Sequence, residues 1–420
     1  MKNCLIRWIA GFLIFSLAMI SQSQAQAASN YIAGSIKPNH VEQSDLDRQL
    51  VVFYQQWKKL YVVQACGDGR FFIKVNADGK RVGGDTAPGT ITVSEAHGYG
   101  MMLMVLMAER DPQAHAIFDG MVRYFKDFPA TSNPGLMAWN QVTGCKNAGG
   151  RFRGQISATD GDLDIAYALL LADSTWGSKG SFNYRKEADR TLDAILSHDV
   201  HGQGGHLMIG DWPIADGEPE IAMTTRSSDF MQSHLKAFAD ATGDKRWLEI
   251  RDRTYDIIDD VRKRYASKTG LMPDFIFHLD TKPTPATAGF LGDERDGLYS
   301  WNAARYPWRV AMDYLLYAEP RARTALQPLN QWARMATKDN PRHLADSYRL
   351  DGRTLPDHSK NSMAFVSAFG ISAMIDAGNQ MWLNAIWDDM VERKISDEDY
   401  YGNTLKLLSM VVLSGNWKKP

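Results

Sequence analysis

The residues best suited to chemistry in this chain stand at the beginnings of helices. The run Thr92-Val93-Ser94-Glu95-Ala96-His97-Gly98-Tyr99-Gly100 places one carboxylate just ahead of Met101, Met102, Leu103, Val105, Leu106 and Met107, a stretch with no clean polar face. A helix apolar all round is enclosed by protein, so Glu95 stands at the edge of a core, where a proton-donating acid would be built. Thr92-x-x-Glu95 equally fits a capping box, in which the same residues satisfy backbone donors at a helix start. A second acidic group follows in Ala158-Thr159-Asp160-Gly161-Asp162-Leu163-Asp164. Its alternating acids resemble the opening of a calcium loop, but the sixth position is Ile165 rather than Gly and the twelfth Leu171 rather than Glu. Capping by Thr159 or Asp160 is compatible with any other role. No Cys-x-x-Cys or His-Glu-x-x-His spacing occurs, so neither a metal site nor a cofactor is expected.

Several acids, few histidines, and Tyr99, Trp139, Trp212 and Trp301 in or near loops fit carbohydrate hydrolysis better than most chemistries. Cleaving a glycosidic bond needs one protonated carboxyl for the leaving oxygen and one ionised carboxylate to activate water or attack carbon. Aromatic faces bind the flat apolar sides of sugar rings.

These groups must be held by helices. Apolar residues at spacings of three and four mark a helix over 45–62, through Leu46, Leu50, Phe53, Trp57 and Leu60. Further helices are predicted over 94–109, 115–128, 162–173, 183–197, 227–241, 247–265, 303–317, 321–337, 362–377, 381–391 and 400–413. Every second one tends to be apolar all round, and no sustained β alternation separates them. Twelve helices in six pairs predict an all-α fold, an (α/α)6 barrel with the odd-numbered helices outside and the even-numbered inside. A helical solenoid is the alternative, but no repeat of fixed period is present. The inner helices of such a barrel run in one direction, so their N-termini converge at one end. Glu95, Asp160, Asp162, Arg226, Asp229, Asn302, Arg305, Tyr400 and Tyr401 all fall there.

The chain has 420 residues, 44% hydrophobic and 23% charged, with a formal charge of -2. Lys2 and Arg7, an apolar run over 8–20 and Ala25-Gln26-Ala27 form a secretion-signal pattern over 1–27. The apolar run is shorter than the roughly 20 residues of a spanning helix. The remaining 28–420 are expected to form one catalytic domain, secreted or periplasmic, with no membrane anchor after cleavage. Cleavage removes two basic residues and no acidic ones, taking -2 to -4, which disfavours nucleic acid as a partner. Cys66 and Cys145 then remain in a compartment that permits disulfides, paired or free.

Three motifs together resemble glycoside hydrolase family 8 over about residues 40–415. They are Ala158-Thr159-Asp160-Gly161-Asp162-x-x-Ile165-Ala166-x-Ala168-Leu169-Leu170-x-Ala172-x-x-x-Trp176, Ser94-Glu95-x-x-Gly98-Tyr99-Gly100, and Arg305-x-Pro307-Trp308-Arg309. The resemblance implies an (α/α)6 barrel and an inverting endo-hydrolase of β-1,4-linked glucan, with chitosanase and mixed-linkage β-glucanase (lichenase) as alternatives in the same family. It implies Glu95 as general acid, Asp160 at the cleavage-subsite sugar and Arg305 in the hydrogen-bond network around the acids; Tyr99, Trp139, Trp212, Asn302 and Arg305 are the residues expected to bind substrate. The expected form is a monomer acting on a polysaccharide.

One branch of that family carries an Asp base where this chain has Asn302, and an amide cannot act as a base. The branch with Asn takes a Glu from the preceding long loop, here 271–301, which contains Asp274, Asp280, Asp293, Glu294 and Asp296. Glu294 is the first choice for the base and Asp293 the second. A carbohydrate-binding protein that has lost catalysis is the reading from another class. Inversion places the two carboxyls about 6.5–9.5 Å apart. A helix N-terminus lowers a carboxyl pKa, so burial and the charge of Asp160 must outweigh the dipole at Glu95.

Overall fold

A computed structural model describes residues 30–420 apart from 78, 80–82 and 84–85; the expected signal at 1–27 lies outside the described residues. Among the described residues there are twelve long helices. In chain order they are α1 (Gln43–Tyr61), α2 (Ser94–Leu106), α3 (Ala114–Asp127), α4 (Thr159–Trp176), α5 (Tyr184–His198), α6 (Gln232–Thr242), α7 (Arg246–Tyr265), α8 (Tyr306–Tyr317), α9 (Pro320–Thr337), α10 (Met363–Ala373), α11 (Gln380–Glu392) and α12 (Tyr400–Leu413). The even-numbered helices pack in the cycle α2, α4, α6, α8, α10, α12 and back to α2, which closes a ring. Each odd-numbered helix packs on the outside of an inner neighbour, and α1 closes on α12. This is the (α/α)6 barrel.

The division follows from sequence. In α10 every residue from Met363 to Ala373 is buried, as is every residue of α2 except Glu95. In α1 only a stripe is buried, made of Leu46, Leu50, Phe53, Tyr54, Trp57 and Tyr61. Burying a large apolar side chain contributes about 1.5–3 kcal/mol, so a helix with one apolar face is held at the periphery and one with apolar faces all round is driven inside. Chain closure is reinforced by the Trp57 indole N–H donating to Thr404 Oγ1 at 2.9 Å. Among the described residues no helix is long and apolar enough to cross a membrane.

Two helices begin differently from the periodicity. The segment expected as one helix over 227–241 breaks into a 3-10 turn, Ser227–Asp229, and α6. Position 303–317 likewise starts with a 3-10 turn, Ala303–Arg305, before α8. At the first the Ser227 N–H donates to the Asp274 carbonyl, and at the second the Asp274 carboxylate accepts from the Asn302 and Ala303 N–H groups. Among the described residues three small antiparallel sheets also appear: β1 (Val62–Gln64) with β2 (Phe71–Ile73); β3 (Thr90–Val93), β4 (Asn140–Val142) and β5 (Lys146–Asn147); and β6 (Thr225–Arg226), β7 (Phe275–Phe277) and β8 (Thr284–Pro285). These strands of two to four residues lie below the length that alternation can reveal. The loop 271–301 is therefore not structureless, since it supplies β7 and β8. Cys66 and Cys145 are joined as a disulfide, linking the β1–β2 connection to the β4–β5 turn.

Candidate active site

Strand β3 runs straight into α2, and this junction fixes Glu95. The Ser94 N–H donates to the Trp139 carbonyl at 2.9 Å, and Val93 pairs with Asn140. Asn140, fully buried, donates to Thr90 Oγ1 and the Thr92 carbonyl and accepts from the Ala87 N–H. The N-cap is Val93 and no side chain caps the helix. The capping-box reading of Thr92 and Glu95 is thereby corrected: Thr92 Oγ1 donates to the Val93 carbonyl, and the Glu95 carboxylate is engaged elsewhere. The same holds at α4, where the N-cap is Ala158 without a side-chain cap, and Thr159 Oγ1 donates to the Met208 carbonyl.

The first turns of α2 and α4 touch because both carry glycine at the contact. A Cβ on Gly161 would lie 2.4 Å from Ser94 Oγ and 2.7 Å from the Ser94 carbonyl carbon, and one on Gly98 would lie 2.6 Å from Asp164 Cβ. This approach lets Glu95 and Asp160 share one guanidinium. Arg305 Nη1 donates to Glu95 Oε2, to Asp160 Oδ2 at 2.8 Å and to Tyr99 Oη at 3.4 Å, while its Nη2 donates to Asn302 Oδ1 at 3.0 Å. On the far side, Arg226 Nη2 pairs with Asp160 Oδ1 at 2.9 Å, and its Nε donates to Asp229 Oδ1 at 3.1 Å.

Three carboxyls, those of Glu95, Asp160 and Asp229, thus meet two guanidiniums. With all five ionised the cluster would carry one uncompensated negative charge in a buried site, so one proton is favoured. Burial would raise Asp160, but Arg226 and Arg305 outweigh it and hold its pKa below the ordinary value. Burial pushes Glu95 up to about 7, against the attraction of Arg305 and with help from Asp160. Burial also raises Asp229, to about 6, with Arg226 opposing. Desolvation therefore outweighs the attraction of the two guanidiniums at Glu95. Its side chain is 17% exposed, against 3% for Arg305 and 4% for Asp160, so Glu95 is the member of the trio that a ligand can reach.

The other acids of the second motif face different partners. Asp162 Oδ1 accepts from the Met137 N–H at 2.9 Å, and Asp164 accepts two bonds from Arg309 and one from His234. Asn302 is held by Asp274, which the sequence singled out only as one loop acid among five. Asp274 Oδ2 accepts from the Asn302 N–H and Nδ2, and its Oδ1 accepts from the Ser300 and Ala303 N–H groups. Buried, it is pushed up to about 7 although these donors oppose the shift. It fixes the turn that aims Arg305, a contact across 28 residues that no local pattern announces.

A cleft of about 590 Å³ lies beside Arg226, with Trp139 and Trp212 on its walls. The Trp139 indole N–H donates to the Phe152 and Arg153 carbonyls, both at 3.1 Å, and the Arg153 guanidinium lies 5.0 Å from the Trp212 ring centre. Asp293 lines the same cleft, whereas Glu294 stands exposed next to it. Their turn is anchored by Phe290 against Phe277 and Phe275, and by Arg295 pairing with Asp357 at 2.9 Å. Trp301 is 36% exposed and borders Tyr401, whose hydroxyl donates to the Trp301 carbonyl at 2.9 Å. Tyr99 departs from expectation. It is fully buried, so its ring offers no face to a sugar and instead supports Arg305 from beneath.

The family model described as "Glycosyl hydrolases family 8" matches residues 43–415. A protein named beta-glucanase from Niallia circulans is 42% identical, covering 93% of this chain and 90% of that one. One named endoglucanase from Bacillus sp. (strain KSM-330) is 38% identical over 93% of this chain and 81% of its own length. The apo structure of a beta-1,3-1,4-glucanase from Paenibacillus sp. X4 superimposes with a TM-score of 0.86 at 42% identity, covering 93% of this chain and 98% of that one. Together with a closed helical ring whose converging N-termini carry a buried acid cluster, these findings establish that the chain is a glycoside hydrolase and belongs to glycosyl hydrolases family 8.

Proposed function

We propose that the protein is an exported, endo-acting, inverting β-glucanase that cleaves β-1,4 linkages, with mixed-linkage β-glucan as its preferred polymer. The observation that carries this reading is the excess carboxyl at Glu95, raised to about 7 and accessible at the cleft end of the barrel. A general acid is most effective when its pKa lies near the working pH. Glu95 gives its proton to the leaving glycosidic oxygen. Asp160, kept ionised between Arg226 and Arg305, accepts hydrogen bonds from the sugar at the cleavage subsite. The base that activates water comes from Asp293 and Glu294, and the position of Asp293 on the cleft wall supports that source. Trp139 and Trp212 supply stacking faces. The names of the 42% identical relatives support β-glucan over xylan or chitosan. Export is supported by the signal pattern and by the Cys66–Cys145 disulfide, a bond that persists in oxidising compartments.

Purified protein is assayed for new reducing ends on mixed-linkage β-glucan, carboxymethyl cellulose, xylan and chitosan, with the anomer of the product followed by NMR. The reading expects fastest release from mixed-linkage glucan and α-anomers first. No release from either β-glucan refutes the substrate, and β-anomers first refute inversion. Sequencing the N-terminus of exported protein checks cleavage after residue 27.

A further inference from the structure

The wall of the cleft carries more guanidiniums than carboxylates, and one of those guanidiniums has no carboxylate partner among the described residues. Its lining includes three guanidiniums, Arg151, Arg153 and Arg226, and one carboxylate, Asp293, whereas the chain as a whole is at -2. Arg226 is committed to Asp160 and Asp229. Arg153 pairs with Asp216 and lies over Trp212. Arg151 differs from both. It is exposed, its guanidinium lies 4.9 Å from the centre of the Phe152 ring, and among the described residues no carboxylate is within ion-pair distance of it. An unpaired guanidinium on a cleft wall attracts anionic groups that enter and repels cationic ones.

Resting on the reading of this chain as a β-glucanase, we propose that the Arg151–Arg153 wall sorts substrates by charge. It accepts β-glucan bearing carboxylate substituents beside Trp212 and disfavours polycationic chitosan. A carboxylate on a sugar stacked at Trp212 meets the wall that carries Arg153, already paired with Asp216, and Arg151, which gains a partner that no described residue provides. Chitosan brings ammonium groups to the same wall. Below neutrality, where Glu95 holds its proton, those amines are charged as well. The weak negative charge of the whole chain, which would suit chitosan, is overruled locally.

The test is the ratio of kcat/KM on carboxymethyl cellulose to that on neutral hydroxyethyl cellulose, for the wild-type enzyme, Arg151→Lys and Arg151→Glu. An exposed charge pair changes binding by about twofold to fivefold, so reversing the charge is expected to lower the ratio by about threefold to tenfold. Arg151→Lys retains most of it. The wild-type ratio also falls as salt rises from about 0.02 M to about 0.5 M, because exposed charges are screened. Chitosan cleavage, slow in the wild type, rises in Arg151→Glu. A ratio unchanged by both Arg151→Glu and salt overturns charge sorting and leaves the β-glucanase reading intact, as does wild-type cleavage of chitosan at the rate of neutral glucan. Inactivity on both cellulose derivatives and on mixed-linkage glucan removes the β-glucanase reading and the proposal together.

Discussion

Replacing Asp160 by Asn should move the pH dependence of catalysis downward. Glu95 and Asp160 bond the same Arg305 nitrogen, Asp160 at 2.8 Å, which holds the two carboxylates about 5 Å apart at typical hydrogen-bond lengths. Two unit charges at that distance repel by about 3 kcal/mol at an effective dielectric of about 20. At about 1.4 kcal/mol per pH unit this is about two units, an upper figure because water relaxes around the site. A general acid must be protonated to act, so kcat/KM declines as pH rises through its pKa. In the wild type that decline is centred near 7, the value of Glu95. In Asp160→Asn the cluster has two carboxyls for two guanidiniums, the surplus proton is no longer needed, and the decline moves to about 5–6. The assay is kcat/KM on soluble mixed-linkage glucan between pH 4 and pH 9, with circular dichroism to confirm folding. The overall rate also falls, but the diagnostic is the position of the limb. A limb that stays put, or moves upward, refutes the electrostatic account of Glu95.

Other perturbations follow from the same contacts. Because the Glu95 pKa is raised in the folded state, its stabilising contribution is complete below about 4.5 and is lost as pH rises through about 7. Glu95→Gln lacks that loss, so its advantage in urea midpoint over the wild type should grow between pH 4 and pH 8 by about 3 kcal/mol in stability; no growth contradicts the raised pKa. Gly161→Ala puts a methyl group against the Ser94 backbone. It should cost about 1–3 kcal/mol in thermal or urea unfolding and lower kcat by about a hundredfold through misplacement of Glu95. Opening the 79-residue loop by Cys66→Ser with Cys145→Ser should cost about 2–4 kcal/mol in the same unfolding assay.

Much of this architecture was legible because the helices differ in kind. Enclosed helices lack a polar face and peripheral ones carry a stripe, and that contrast orders twelve segments into an inner and an outer ring. The positions of Glu95, Asp160, Asn302 and Arg305 follow, since each stands at the start of an inner helix. What stayed hidden was the identity of partners. Thr92 and Glu95 fit a cap by spacing, yet the carboxylate is drawn away by Arg305, 210 residues distant. Tyr99 sits in a motif beside the acid, but its place on α2 turns it inward. Asp274 resembles any loop acid until folding brings Asn302 to it. The Arg309–Asp164–His234 contact joins α8, α4 and α6 through the barrel interior, and no sequence spacing predicts it. Short strands and the helical turns Trp212–Ala215 and Pro219–Ala222 fall below the length over which periodicity exists.

The central claim is that Glu95 supplies the proton to the leaving sugar. It is tested most directly by comparing Glu95→Gln with the wild type on β-glucan and on an aryl cello-oligosaccharide whose phenol leaves without protonation. Loss of a general acid costs about a hundredfold to ten-thousandfold where protonation is required. The account predicts that loss on β-glucan and near wild-type cleavage of the activated aryl substrate; an equal loss on both substrates contradicts it.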